Sequence, residues 1–264
     1  MSSPLLVGML WVVFGGSHVG LATRQVRTAL IQCLGEYGFL TLYSLIAAAT
    51  FAALIVGFAD HRWEGPPGLG LSAVPAIRAL CMLTIAAGVM LLVAALAAYA
   101  RLPMALFDQP IRAPRGIEQI TRHPFFVGVA MLALAHVLLA SHLTGTVFFA
   151  GLAALSLAGA RHQDVKLLAR RGPAYGQYLE RTSMLPFAAI VSGRQKLVWS
   201  DLPFGPLAVG LASAVALRLG HDSLLADHGL WLIVAIVGGA AVATVQSYWR
   251  SRRTSAKAAT LVQS

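Results

Sequence analysis

Seven apolar runs, near residues 4–22, 38–58, 79–100, 124–140, 143–160, 203–219 and 229–247, alternate with short polar segments along the chain. A helix needs about 20 apolar residues to cross the hydrocarbon core of a bilayer. The pattern predicts an all-α polytopic membrane protein of about seven transmembrane helices in one membrane domain, residues 1–248. A disordered basic tail follows at 249–264. The fourth, fifth and sixth runs are short, and only Ser141 and His142 separate the fourth from the fifth. That spacing predicts a tight helical hairpin, with local thinning of the bilayer or help from neighbouring helices.

Charge distribution orients these spans. With the N-terminus outside and the C-terminus cytoplasmic, 17 of the 20 Lys and Arg residues fall on the inner side, and only Arg62, Arg78 and Arg218 fall outside. Inner loops of membrane proteins carry this excess of basic residues. The inner polar segments are 23–37, 101–123 and 161–202. The third begins RHQDVKLLARR, which reads as a short amphipathic helix stopped at Gly172-Pro173, since Gly permits a left-handed cap and Pro cannot continue the ladder.

Composition agrees: 58% of residues are hydrophobic and 11% charged, with a mean hydropathy of +0.73. The net charge of +10 belongs to topology and to anionic headgroups rather than to nucleic acid, because no basic patch is interleaved with aromatics. Cys33 and Cys81 form no CxxC pair, and both are expected to be free thiols. The first apolar run lacks a basic n-region before it, so it is expected to be a retained span rather than a cleaved signal. A bacterial inner membrane is the expected location.

Chemistry inside such a chain is expected at its intramembrane polar residues. His18 lies late in the first run within GGSHVGLA, and His136 lies in the fourth within MLALAHVLLA. A histidine at that depth is costly unless it is hydrogen-bonded across helices or ligates a metal. Neutral imidazole is a common ligand of heme iron, so a pair of such histidines suits a b-type heme. Gly15, Gly16 and Gly20 around His18 would allow close approach of a flat ring or of another helix. His18 lies four to five residues from the inner end of its run and His136 about twelve from the inner end of its own, a depth difference near 10 Å. No acid falls within a span, so a proton-coupled pump or ion channel is not indicated.

A second constellation is cytoplasmic. Thr121-Arg122-His123-Pro124 stands directly before the fourth run. One reading is a topology-setting Arg, an interfacial His and a helix-starting Pro. The other is an anion or cofactor site at a helix N-terminus. Asp164, Tyr175, Tyr178 and several Arg and Lys residues of the third inner segment are expected to be mostly surface groups, with Asp164 paired to an Arg.

The stretches GGSHVGLATRQVR, GEYGFLTLYSLIA, FADHRWEG, ITRHPFFVGVAMLALAHVLL and KLLARRGPAYGQYLERTSMLPFAAIVSGRQKL, in this order along the chain, resemble the NnrU family and its 15-cis-zeta-carotene isomerase branch. The resemblance covers about residues 8–205. It implies a membrane isomerase of a carbon–carbon double bond in a polyene, with heme b held by His18 and His136. That branch places a Cys three residues before the fourth-span His, where this chain has Ala133. NnrU proteins of denitrifying bacteria are similar too, which implies an accessory role in nitrite or nitric oxide reduction as an alternative. RHPxxxG, followed by GxxYxxY and a Pro, is more distantly similar to the isoprenylcysteine carboxyl methyltransferases. That likeness implies S-adenosylmethionine at Arg122 and His123, although the paired acids of that family fall here at Gln163-Asp164. The expected partners are an apolar polyene and membrane lipid.

Overall fold

In the computed structural model, which describes residues 2–98, 102 and 111–221, six of the seven apolar runs form helices. They are α1 (Ser3–Ala22), α2 (Arg24–His61), α3 (Pro75–Ala98), α4 (Pro124–Leu139), α5 (Leu143–Arg171) and, after α6 (Pro173–Arg181) and the single turn α7 (Ala188–Val191), α8 (Phe204–Leu219). Among the described residues there is no strand, only an isolated bridge between Pro67 and His142. The expected seventh run, 229–247, and the tail 249–264 lie outside the described residues.

Four helices, α1, α2, α3 and α5, are long and apolar enough to cross a membrane, whereas α4 and α8 are apolar but only 16 residues long. Their outward faces carry large bare side chains such as Val12 (74% exposed) and Leu83 (69%). Helices that are apolar all round belong in a core or in lipid. With so much apolar surface uncovered, lipid is the environment that satisfies them.

Two inner segments differ from the sequence expectation. Residues 24–34, expected as loop, are helical, and the break comes at Gly35, whose φ of 71° and ψ of 169° interrupt α2. Only glycine takes this conformation without steric cost. Past it, residues 36–61 rise about 39 Å, enough to span with some tilt. The amphipathic segment from Arg161 is not a separate helix either. It continues α5 without interruption to Arg171, because no breaker stands between Ala160 and Gly172. Gly172 turns the chain with a φ of 55°, and Pro173 opens α6, where its missing N–H costs no helical bond.

The chain divides into two units. The first comprises Met1–Ile85 and Ala130–Ser156. Its core is Val7, Phe14, Leu54 and Phe148, with Leu10, Trp11, Phe51, Phe58 and Phe149 packed around them. The α1 members recur at three- and four-residue steps (Val7, Leu10, Trp11, Phe14), which places them on one helical face. The Trp11 Nε1 donates to the Phe148 carbonyl at 3.1 Å, so the buried indole N–H has a partner. The 62–70 loop closes over the α4–α5 turn through backbone bonds Gly68 N to Ser141 O, Gly70 N to Ala140 O and Leu143 N to Pro66 O. These bonds make Ser141-His142 the tight turn that the two-residue spacing implied.

The second unit comprises Ala86–Val129 and Leu157–Ser264. Small residues set its helix contacts. A Cβ on Gly128 would stand 2.7 Å from the Gly88 carbonyl, and one on Gly210 would stand 2.6 Å from the Met90 Cα. Close backbone approach at small residues is the usual way apolar helices associate where lipid replaces water.

Gly151 tests the first unit's packing, since a Cβ there would fall on the Trp11 indole. Gly151→Val should cost about 1–3 kcal/mol by overpacking and lower the melting temperature of the detergent-solubilised protein. Gly15→Ala, with open space around the new methyl, should leave it nearly unchanged.

Candidate functional site

Asp164 is the centre of the densest polar arrangement, at the polar end of α5 in the second unit. The Arg122 guanidinium grips it as a fork, Nη2 to Oδ2 at 2.7 Å and Nε to Oδ2 and Oδ1 at 3.0 and 3.2 Å. The His123 Nε2 lies 2.7 Å from Oδ1, and the Tyr175 hydroxyl donates to the same oxygen at 2.6 Å. A bidentate Arg–carboxylate pair with further donors is among the strongest polar arrangements proteins make. The local fold delivers each group. Thr121 Oγ1 donates to the Met184 carbonyl at 2.7 Å and accepts from the His123 N–H at 3.3 Å, fixing the start of α4. Backbone bonds Arg122 N to Ser183 O and Phe187 N to Ile120 O tie that start to the segment after α6.

Burial works against the Asp164 charge, yet the bonds from His123 and Arg122 prevail and hold its carboxyl well below the ordinary value of 3.8. Burial, reinforced by the bond to Asp164, raises the Tyr175 phenol far above its usual range. A Tyr that stays protonated can only donate here, which suits a carboxylate that can only accept.

A second buried acid lies nearby in sequence. Glu118 is 1% exposed and pairs with Arg112 at 2.6 Å, and the Arg115 N–H also donates to it. Burial nevertheless pushes its carboxyl above the usual carboxylate value. Gln119 is buried beside it and binds Asp201 and the Val198 N–H, anchoring the 198–201 turn. Sequence reasoning passed over this pair, although the RxxE spacing of Arg115 and Glu118 is that of a capping box. It also left Tyr175 and Tyr178 at the surface. Both are buried, at 0% and 3% exposure, on one face of α6 at the i, i+3 spacing of GxxYxxY. The pairing of Asp164 with an Arg agrees with expectation. His123, expected at the interface, is instead 2% exposed.

His18 and His136 both belong to the first unit, and each is held by its own partners. The Tyr43 hydroxyl lies 3.1 Å from both ring nitrogens of His18 and donates to the His18 carbonyl at 3.3 Å. His136 stacks on Phe149 with centroids 4.6 Å apart, and its Nδ1 is 2.8 Å from the Leu132 carbonyl. A carbonyl can only accept, so Nδ1 carries the proton and the lone pair resides on Nε2. This is the arrangement in which histidines bind metals.

These residues can be compared with what heme iron requires. Metal–imidazole bonds are about 2 Å long, so two axial nitrogens must come within about 4 Å of each other. Trp11 packs against Phe148 with centroids 5.9 Å apart, next in sequence to the Phe149 on which His136 stacks. His18 is seven residues further along α1, about 10 Å in rise. Both histidines border the aromatic core of the first unit, His18 beside Phe14 and His136 on Phe149. Gly15, Gly16 and Gly20 leave open space beside His18. Ala133 is fully buried and offers no ligand. Among the described residues no group of three or more His, Cys, Asp or Glu is placed to hold a metal ion. Cys33 and Cys81 are both free thiols, exposed and buried respectively.

Comparison with known proteins gives one family and two curated relatives. A family model described as NnrU protein matches residues 5–249. A protein named 15-cis-zeta-carotene isomerase, chloroplastic, from Zea mays is 31% identical over 198 residues, 74% of this chain and 53% of its own. One of the same name from Arabidopsis thaliana is 34% identical over 192 residues, 72% of this chain and 51% of its own. The chain therefore spans about half the length of the curated relatives it matches. No solved structure matches it significantly.

The Asp164 hub yields a test with a definite sign. A carboxyl held below its ordinary value contributes stability above 3.8, and that contribution is lost as pH falls through the lower folded value. Asp164→Asn leaves Arg122 and His123 without their acceptor and should cost about 3–5 kcal/mol near neutral pH. The gap between wild type and variant, followed by thermal melting, should narrow as pH drops below 3.8. A gap that does not change with pH would show that the carboxylate's charge is not what holds these segments.

Proposed function

The chain belongs to the NnrU family, and on that premise we propose that it is a membrane-embedded isomerase that rotates a cis double bond of a long conjugated polyene to trans. The observation that carries the proposal is the similarity to two proteins named 15-cis-zeta-carotene isomerase over nearly three quarters of this chain. It is supported by α4 and α5, which stack His136 on Phe149 with centroids 4.6 Å apart. The substrate class is 15-cis-zeta-carotene or a similar hydrocarbon, reached from the lipid of a bacterial inner membrane. The about seven spans, the outer N-terminus and the inner C-terminus belong to the same proposal, resting on the bias of basic residues.

Heme b is part of this reading. Bound iron would supply a Lewis-acidic or electron-donating centre that lowers the rotation barrier of a polyene. His136 is the residue proposed to hold it, since the Leu132 carbonyl sets the imidazole tautomer and Phe149 fixes the ring plane. His18 stands as the second proposed ligand of the family pattern, and Tyr43 holds it in reserve on α1. Phe149, on which His136 stacks, packs into an aromatic cluster with Trp11, Phe14, Phe51, Phe58 and Phe148. They are of the kind against which conjugated chains pack well.

The methyltransferase alternative would put S-adenosylmethionine against Arg122 and His123. His123 is turned into the protein with its Nε2 engaged by Asp164, so that reading needs the hub to open, and no observation favours it. None favours an accessory role in nitrite or nitric oxide reduction over the isomerase either.

Expression in a bacterium that accumulates 15-cis-zeta-carotene, with pigments resolved by liquid chromatography, tests the proposal. Wild type should convert the 15-cis isomer to the 15-trans form. His136→Ala should lower conversion at equal protein level by roughly 100-fold or more, as expected when a group essential to the reacting centre is lost. Conversion undiminished in His136→Ala would remove His136 from the mechanism. No conversion by wild type would remove the activity.

A further inference from the structure

The hub borders a cavity of about 330 Å³ that neither polyene chemistry nor a heme uses. It is lined by Arg122, Arg161, Asp164, Val165, Leu168, Leu179 and Met184. Four of these, Arg161, Asp164, Val165 and Leu168, recur at i, i+3, i+4 and i+7, and so share one face of α5. Leu179 comes from α6, Met184 from the segment after it and Arg122 from the start of α4. The wall therefore has a charged end and an apolar side.

The charges do not cancel. Asp164 is already saturated by Arg122, His123 and Tyr175. Arg161 has no ion-pair or hydrogen-bond partner among the described residues, and it is exposed. Arg122 keeps its Nη1 on only a long 3.5 Å contact with the Thr182 carbonyl, so a guanidinium N–H remains for another acceptor. The same end of α5 carries Lys166, Arg170 and Arg171 as well. On the apolar side Val165 is 62% exposed and Leu168 is 44% exposed, although both follow Ala160, where the continuous apolar stretch of α5 ends. Exposed aliphatic side chains one turn past a membrane span, beside a free cation, match the headgroup level of a bilayer.

We propose that this cavity is a binding site for an anionic phospholipid, with the phosphate between Arg161 and the free edge of Arg122 and the upper acyl chain along Val165, Leu168, Leu179 and Met184. A phosphodiester supplies the acceptor oxygens that two guanidiniums lack, and a chain supplies the apolar cover that Val165 and Leu168 lack. The site does not depend on the isomerase reading, because none of its residues belongs to the first unit.

Native mass spectrometry of the delipidated, detergent-solubilised full chain tests it with dioctanoyl-phosphatidylglycerol, dioctanoyl-phosphatidylcholine, inorganic phosphate and S-adenosylmethionine as separate probes. Phosphatidylglycerol should be retained in preference to phosphatidylcholine. Arg161→Glu should weaken that retention by at least about fivefold, in line with the loss of one basic contact at an anionic headgroup. Leu168→Gln should weaken phosphatidylglycerol without creating any preference for phosphatidylcholine. Both positions are exposed, so melting temperatures close to wild type should accompany these losses. Equal retention of the two lipids, retention unaffected by Arg161→Glu, or protection by inorganic phosphate as strong as by phosphatidylglycerol would overturn the proposal. Binding of S-adenosylmethionine that displaces phosphatidylglycerol and is lost in Arg161→Glu would overturn it too, and would reassign the cavity to a cofactor.

Discussion

A buried polar group gains most by finding its partner inside the protein, and that requirement shapes the polar arrangement at the end of α5. Asp164 shows it most clearly. One carboxylate accepts from Arg122, His123 and Tyr175, and those three groups come from the start of α4 and from α6. The bonds that satisfy the charge are the same bonds that fasten α5 to its neighbours at its polar end. Glu118 repeats the device on a smaller scale with Arg112 and the Arg115 N–H. Among apolar helices, which gain little by packing on one another rather than on lipid, such fixed polar contacts set the register that close approach at Gly128 and Gly210 then completes.

The same requirement explains why the two histidines are held so differently. His136 has its Nδ1 proton on a carbonyl four residues back and its ring on Phe149. His18 shares both nitrogens with one hydroxyl, that of Tyr43. Tyr43 thus supplies the polar partner of His18, and the Leu132 carbonyl fixes the tautomer of His136. The chain carries Ala133 where the isomerase branch it resembles has a Cys, so no thiolate can come from that position.

Much of this was legible beforehand, for physical reasons that differ from residue to residue. Apolar runs long enough to span are conspicuous, and six of them are helices, four near their expected limits and two, α2 and α5, running past them. Gly172-Pro173 marked a true break because both residues act locally. Gly35 was not read as one, since a glycine inside an otherwise helix-compatible stretch signals nothing until its φ is known. The continuation of α5 through RHQDVKLLARR was missed because the change from apolar to charged residues looks like a boundary, while the backbone sees no breaker. The burial of Tyr175, Tyr178, His123 and Glu118 was invisible for a different reason. It depends on segments far apart in sequence meeting at one place, as His123 meets Asp164 41 positions on and Thr121 meets Met184 63 positions on, and single-chain patterns carry no such distance.

The central proposal is that His136, together with His18, holds an iron-bearing ring. Absorption spectra of the purified protein, loaded with hemin and compared oxidised and reduced, test it in wild type, His18→Ala and His136→Ala. The proposal predicts a Soret band in wild type, its loss in His136→Ala and its loss or shift in His18→Ala. A band that survives His136→Ala, or no band in any of the three proteins, would contradict it.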